Sequence, residues 1–149
     1  MLGAQGLIAE VMALPAQLAD LAELAALHPG TQLVIGDTGM PLRRTAEEHA
    51  LWQSGMAALV ALPHVTVKIS GLGMVDHHWT AQSIAPLVTE TIAQFGPRRC
   101  MFASNFPVDG LHARYDAVWA AFDAITSDLP EPARALLFRE TANRLYRLD

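Results

Sequence analysis

Cysteine and lysine are each nearly absent from this chain, and each shortage narrows what it can be. There is a single cysteine, Cys100, so no internal disulfide can form. Its place in an apolar run predicts a buried, unreactive thiol, and nothing calls for an oxidising compartment. There is a single lysine, Lys68, and no Lys or Arg precedes Arg43. The positive n-region of a secretory signal is missing, and Glu10 and Asp20 interrupt the apolar N-terminal stretch. No uninterrupted apolar segment is long enough to cross a bilayer. Ten Lys and Arg stand against 15 Asp and Glu, a net charge of −5. The pairs Arg43-Arg44 and Arg98-Arg99 have no basic stripe around them, so a nucleic-acid partner is not expected. The expectation is a cytoplasmic protein with no membrane partner. Also absent are a G-x-G-x-x-G fingerprint, a P-loop and a His-x-His pair.

What is present is enough apolar material for one domain with a real core. The chain has 149 residues, 52% of them hydrophobic and only 17% charged. Apolar runs and helical patterns alternate along it. A short run at 7–13 precedes a helical pattern over 15–28, stopped by Pro29-Gly30. Residues 32–36 read as a buried strand, and Thr45 with Glu48 predicts a capping box that opens a helix to about Leu62. The β-branched run VTVKIS (65–70) is strand-like. A helix is predicted over 84–95, with Pro86 in its first turn, and a strand over 100–104. Leu111, Tyr115, Val118, Phe122 and Ile125 mark an amphipathic helix, and 131–147 is helical again.

Four strand–helix units with apolar strands imply an α/β fold, a parallel sheet covered by helices. A doubly wound sheet normally carries a phosphate loop or a switch-point crevice, and no such loop is present. In a TIM barrel, polar residues sit at the C-terminal ends of the strands, as Asp37, Ser70 and Asn105 do here. A barrel needs eight strands and about 250 residues, so four strands leave open edges.

Three stretches carry a family resemblance: VIGDTGMP (34–41), VKISGLGMVDHHWT (67–80) and FGPRRCMFASNFPVD (95–109). In that order and spacing they resemble the amidohydrolase-related family of metal-dependent hydrolases, which are TIM-barrel enzymes that include lactonases. The ending ETANRLYRLD is similar to that family's closing helix. The resemblance implies a single domain over 1–149 equivalent to the C-terminal half of a (β/α)8 barrel, lacking the N-terminal strands and their metal-binding His-x-His. Two family positions are altered. The usual His-x-Gly-x-Pro reads Asp37-Thr-Gly-Met-Pro, and the usual Ser-Asp-x-Pro reads Ser104-Asn105-Phe-Pro. In the family that His binds metal or substrate, and that Asp positions or deprotonates the attacking water.

The site expected from these residues has catalytic Asp37, His77 and Asn105, with Arg43, Ser70, His78 and Ser104 binding substrate. Asn105 cannot be a general base, but it can hydrogen-bond a carbonyl or a water; otherwise it satisfies loop backbone groups. Asp37 can ligate a hard metal, accept a proton, or only shape its turn. His77 and His78 follow a strand end, in a loop that would overhang the pocket. One of them can act as acid or base or bind a substrate carboxylate; otherwise it is a solvated loop histidine. Arg43 can bind an anion or be a solvated loop residue. Lys68 points into the barrel or toward the helix layer, and a surface lysine is the reading adopted. The chain by itself offers no metal site, so zinc or another divalent ion requires ligands from the missing half. The implied function is hydrolysis of a lactone or related C–O or C–N bond in a small carboxylated molecule. The alternative is a catalytically inactive half-barrel, a pseudoenzyme, binding subunit or gene fragment, that self-associates or pairs with a missing half.

Overall fold

The four apolar runs become four short strands: β1 (Ile8–Val11), β2 (Gln32–Ile35), β3 (Val65–Ile69) and β4 (Cys100–Phe102). The computed structural model describes residues 2–43, 45–74 and 76–148, so Arg44 lies outside the described residues. The strands lie in sequential order, β1-β2-β3-β4, and each adjacent pair is parallel. With right-handed crossovers, a sequential order puts every connecting helix on the same face of the sheet. That rules out the doubly wound alternative, whose strand order reverses. Three helices connect the strands, α1 (Leu18–Ala26), α2 (Ala46–Val60) and α3 (Ala81–Phe95), and α4 (Tyr115–Ile125) follows β4.

Alternation along each strand divides its residues between the two faces. Leu33, Ile35, Val65, Val67, Ile69, Cys100 and Phe102 pack with Leu18, Trp52, Met56, Leu59, Val88 and Phe122 in one core. The opposite face carries Glu10, Val34 and Thr66 in one row, and Lys68 beside Met101 in the next. The Lys68 ammonium pairs with a Glu10 carboxylate oxygen, and Tyr146 Oη donates to the other oxygen at 2.9 Å. Lys68 is therefore an inner-face residue with a partner, not the surface lysine expected.

Local signals explain most boundaries. Thr45 Oγ1 accepts from the Glu48 N–H at 3.2 Å and starts α2 as expected. Helix α3 begins earlier than residue 84. Ser83 donates its N–H to Thr80 Oγ1 at 3.1 Å and accepts the Thr80 N–H on its Oγ at 2.9 Å. Serine thus plays the part usually taken by Glu or Gln in a capping box. Pro86 consequently lies in the second turn of α3. The C-terminal run divides into α5 (Glu131–Ala135), a π-helical turn (Leu136–Glu140) and α6 (Thr141–Tyr146). Phe138 meets Phe102 edge-on at 4.9 Å. Farther on, Arg144 Nη2 donates to the Arg98 carbonyl at 2.6 Å and Arg147 Nη2 to the Gly6 carbonyl at 3.4 Å. This segment therefore runs from the start of β4 to the start of β1. No described helix is long and apolar enough to cross a membrane.

Two outcomes follow from this packing. Cys100 is fully buried, and burial pushes its thiol up to about 12 although Arg99 pulls the other way. A disulfide-exchange reagent at pH 8 is expected to leave the native protein unlabelled and to label one thiol after denaturation. At Gly55 of α2, an added Cβ would sit 2.4 Å from Leu18 Cβ. Gly55→Ala is expected to cost about 1–3 kcal/mol in a denaturant titration, the usual penalty of overpacking.

Candidate functional site

Beyond β2 the chain makes a strained turn. Asp37, Thr38, Gly39 and Met40 all have positive φ, at 47°, 57°, 70° and 43°. Three of them carry side chains, and such backbone persists only where its surroundings hold it. Thr38 supplies the hold and is completely buried. Its Oγ1 donates to the Ser70 carbonyl at 3.2 Å and accepts the Ser70 N–H at 3.3 Å. Its own carbonyl accepts from Trp52 Nε1 at 2.7 Å. The turn is thereby fastened to the end of β3 and to α2. Asp37 is left facing Ser70, whose Oγ donates to Asp37 Oδ1 at 2.9 Å. Gly71 has φ +68°, and a Cβ there would fall 2.8 Å from the Asp37 carboxyl, so only glycine fits.

The end of β4 supplies the second group. Asn105 has φ 55°, and its Nδ2 donates to Asp109 Oδ1 at 3.0 Å. Phe106 N–H donates to Ser104 Oγ at 3.3 Å. Asp109 is buried within the turn that follows. Burial holds its carboxyl above the usual carboxylate range, the Asn105 hydrogen bond opposes that rise, the Asp37 charge adds to it, and His112 works against it.

Between the strand ends lies a cavity of about 360 Å³. Glu10 and Lys68 line it from within β1 and β3; Asp37, Ser70, Ser104 and Asn105 line it at the strand tips. It combines two acids, an ammonium, two hydroxyls and an amide at the position where a one-sided parallel sheet places its chemistry. A more apolar groove of about 290 Å³ between β1 and α1, lined by Leu21, Leu24, Val11 and Leu33, offers only His28 and Thr31 as polar side chains.

The family model for amidohydrolases matches residues 1–148. The chain belongs to the amidohydrolase family. It is 43% identical over 132 residues to an uncharacterized protein, y4mH, of Sinorhizobium fredii, covering 89% of this chain and 44% of that protein. It is 31% identical to an L-fucono-1,5-lactonase of Burkholderia multivorans, covering 99% of this chain and 53% of the relative. A crystal structure of a Burkholderia multivorans amidohydrolase with bound zinc superposes with a TM-score of 0.92 at 32% identity, over 99% of this chain and 55% of that one. The chain spans about half the length of the curated relatives it matches.

Within this family member, the structure brings together four of the residues expected from sequence: Asp37, Ser70, Ser104 and Asn105. It leaves three outside the cavity. Arg43 is exposed, and its backbone N–H is taken by Glu48. His77 is exposed, with its ring stacked on His112 at 3.5 Å. His78 is exposed and donates its backbone N–H to Asp76 Oδ1 at 3.2 Å. Glu10 and Asp109 were not foreseen. The pattern IAEV did hold the signal for Glu10, which alternates away from Ala9 and Val11 as Lys68 does from Val67 and Ile69. The zinc of the structural relative finds no matching set here. Among the described residues no three His, Cys, Asp or Glu side chains are grouped to hold a metal ion. Of the two cavity carboxylates, Glu10 is engaged by Lys68 and Tyr146, so Asp37 is the one candidate ligand.

Ser70→Ala is expected to leave the fold intact and lower stability by about 1 kcal/mol, the ordinary worth of one buried hydrogen bond. Gly71→Ala is expected to cost about 2 kcal/mol or more, because it adds left-handed strain to a clash with Asp37. Urea titration of both variants checks the order.

Proposed function

We propose that this cavity is one side of the active site of a lactone hydrolase, completed by barrel strands beyond the four seen here. The observation that carries the reading is a buried Asp37, held by Ser70 and opening with Asn105 on a cavity at the strand tips. Two relatives named L-fucono-1,5-lactonase support the reaction class. The charged lining residues are Glu10, Asp37 and Lys68, two acids to one base. That balance favours an uncharged polyhydroxylated lactone over the carboxylated substrate expected from sequence. Ser70 and Ser104 suit its hydroxyls.

In this reading water attacks the lactone carbonyl and the ring C–O bond breaks. The water proton passes to Asp37 and from there to the departing ring oxygen, giving an open hydroxy acid. Asn105 orients the water or the carbonyl. Arg43, His77 and His78 take no part. The unpaired edges of β1 and β4 are where the remaining strands would join.

The test is complementation. The 149-residue chain is joined to the N-terminal half of the Burkholderia multivorans lactonase, and acid release from L-fucono-1,5-lactone is followed. Hydrolysis is expected, with kcat falling about 100-fold or more in Asp37→Asn, as for loss of a general base. A folded, complemented barrel that opens no lactone would overturn the proposal.

A further inference from the structure

An asparagine side chain has two different ends. Its NH2 donates and its carbonyl oxygen accepts, so whichever end faces a cavity decides what the residue can do there. At Asn105 the choice is made by a neighbour. Nδ2 donates to Asp109 Oδ1 at 3.0 Å, and the Asp109 N–H donates to the Asn105 carbonyl at 3.1 Å, so side chain and backbone are tied across the same turn. An ionised carboxylate only accepts. It therefore requires the NH2 end. Among the described residues nothing donates to Asn105 Oδ1, and the buried side-chain atoms without a partner are Gln94 Oε1 and Trp119 Nε1. Asn105 Oδ1 is therefore both unpartnered and reachable, on a residue that lines the cavity. Asp109 itself is 4% exposed and does not line it.

We propose that Asp109 is a positioning residue: by holding the Asn105 amide by its NH2 end, it fixes Asn105 Oδ1 as the acceptor presented to the cavity. The catalytic meaning of this rests on the lactonase reading above. An acceptor at that point takes a hydrogen from the attacking water and aims its lone pair. Oδ1 cannot donate to a substrate carbonyl, so this end of the amide serves the water-orienting role, while one of the two Nδ2 hydrogens is committed to Asp109. The same contact explains why an amide suits position 105. An aspartate there would set two carboxylates at about hydrogen-bond distance, and one would have to carry a proton.

The sequence makes this testable by NMR, because Asn105 and Asn143 are its only asparagines. Selective 15N-asparagine labelling of the 149-residue chain gives two side-chain NH2 pairs, assigned with Asn105→Ala. The Asn105 protons are expected to be widely separated, one of them slow to exchange. Asp109→Ala should collapse that separation to the free-amide value while the Asn143 pair stays put. Asp109→Leu keeps much of the bulk and removes the acceptor if the alanine variant does not fold, and should narrow the separation. A free-amide pattern in the parent protein, or an Asn105 pair unmoved in the folded variants, would overturn the positioning. In the complemented barrel, Asp109→Leu should lower kcat about 10- to 100-fold at unchanged KM, the scale of a misplaced reacting group. An unchanged kcat, or a loss carried wholly by KM, would overturn its catalytic part. If the complemented barrel turns over no lactone, the lactonase reading fails on its own, and the amide spectra still decide whether Asp109 orients Asn105.

Discussion

One hydroxyl holds the functional end of this molecule together. Thr38 Oγ1 both gives and receives a hydrogen bond at Ser70, and so takes over where the β2–β3 ladder stops. Without it, the end of β3 would hold a turn of four successive left-handed residues only through the Ser70 hydroxyl on Asp37. The Trp52 indole secures the same residue from the helix side, through the Thr38 carbonyl. Helix layer, β2 and β3 therefore converge on a single threonine. Asp37 takes its orientation from that convergence, and Gly71 takes its identity from Asp37.

Below the turn, the sequential strand order divides the labour between the two sheet faces. The helix-covered face is packed with Val, Ile, Leu and aromatic side chains and supplies cohesion. The other face must serve a polar cavity, and its charged groups are kept there by neutralising one another. Lys68 meets Glu10, and Tyr146 takes the remaining Glu10 oxygen. A paired charge on an inner face is tolerable where an isolated one would not be. The pair leaves Asp37 as the one carboxylate of the lining not matched by a cation.

Much of this architecture was legible in the residues. Apolar runs and caps located four strand–helix units, and the motifs at 34–41 and 95–109 located Asp37, Ser104 and Asn105. What escaped reading depended on partners far along the chain. Lys68 looks like a surface lysine until Glu10, 58 residues earlier, is placed on the neighbouring rows of the same face. His77 looks like a pocket residue until its ring is found stacked on His112. Asp109 lies only four residues from Asn105, yet its burial comes from the packing of the whole turn, which no local pattern records. Helix α3 was read too short because Ser83 occupies a place where Glu or Gln is the familiar signal.

The contact between the Arg147 guanidinium and the Gly6 carbonyl brings the first and last described segments to the same end of the sheet. That end is where the strands start, opposite the tips that bear Asp37 and Asn105. Additional polypeptide attached there, by gene fusion or by an affinity tag, would leave along the far pole of the fold. The spatial separation lets the protein acquire neighbours at its base without obstructing the mouth through which a small molecule would enter.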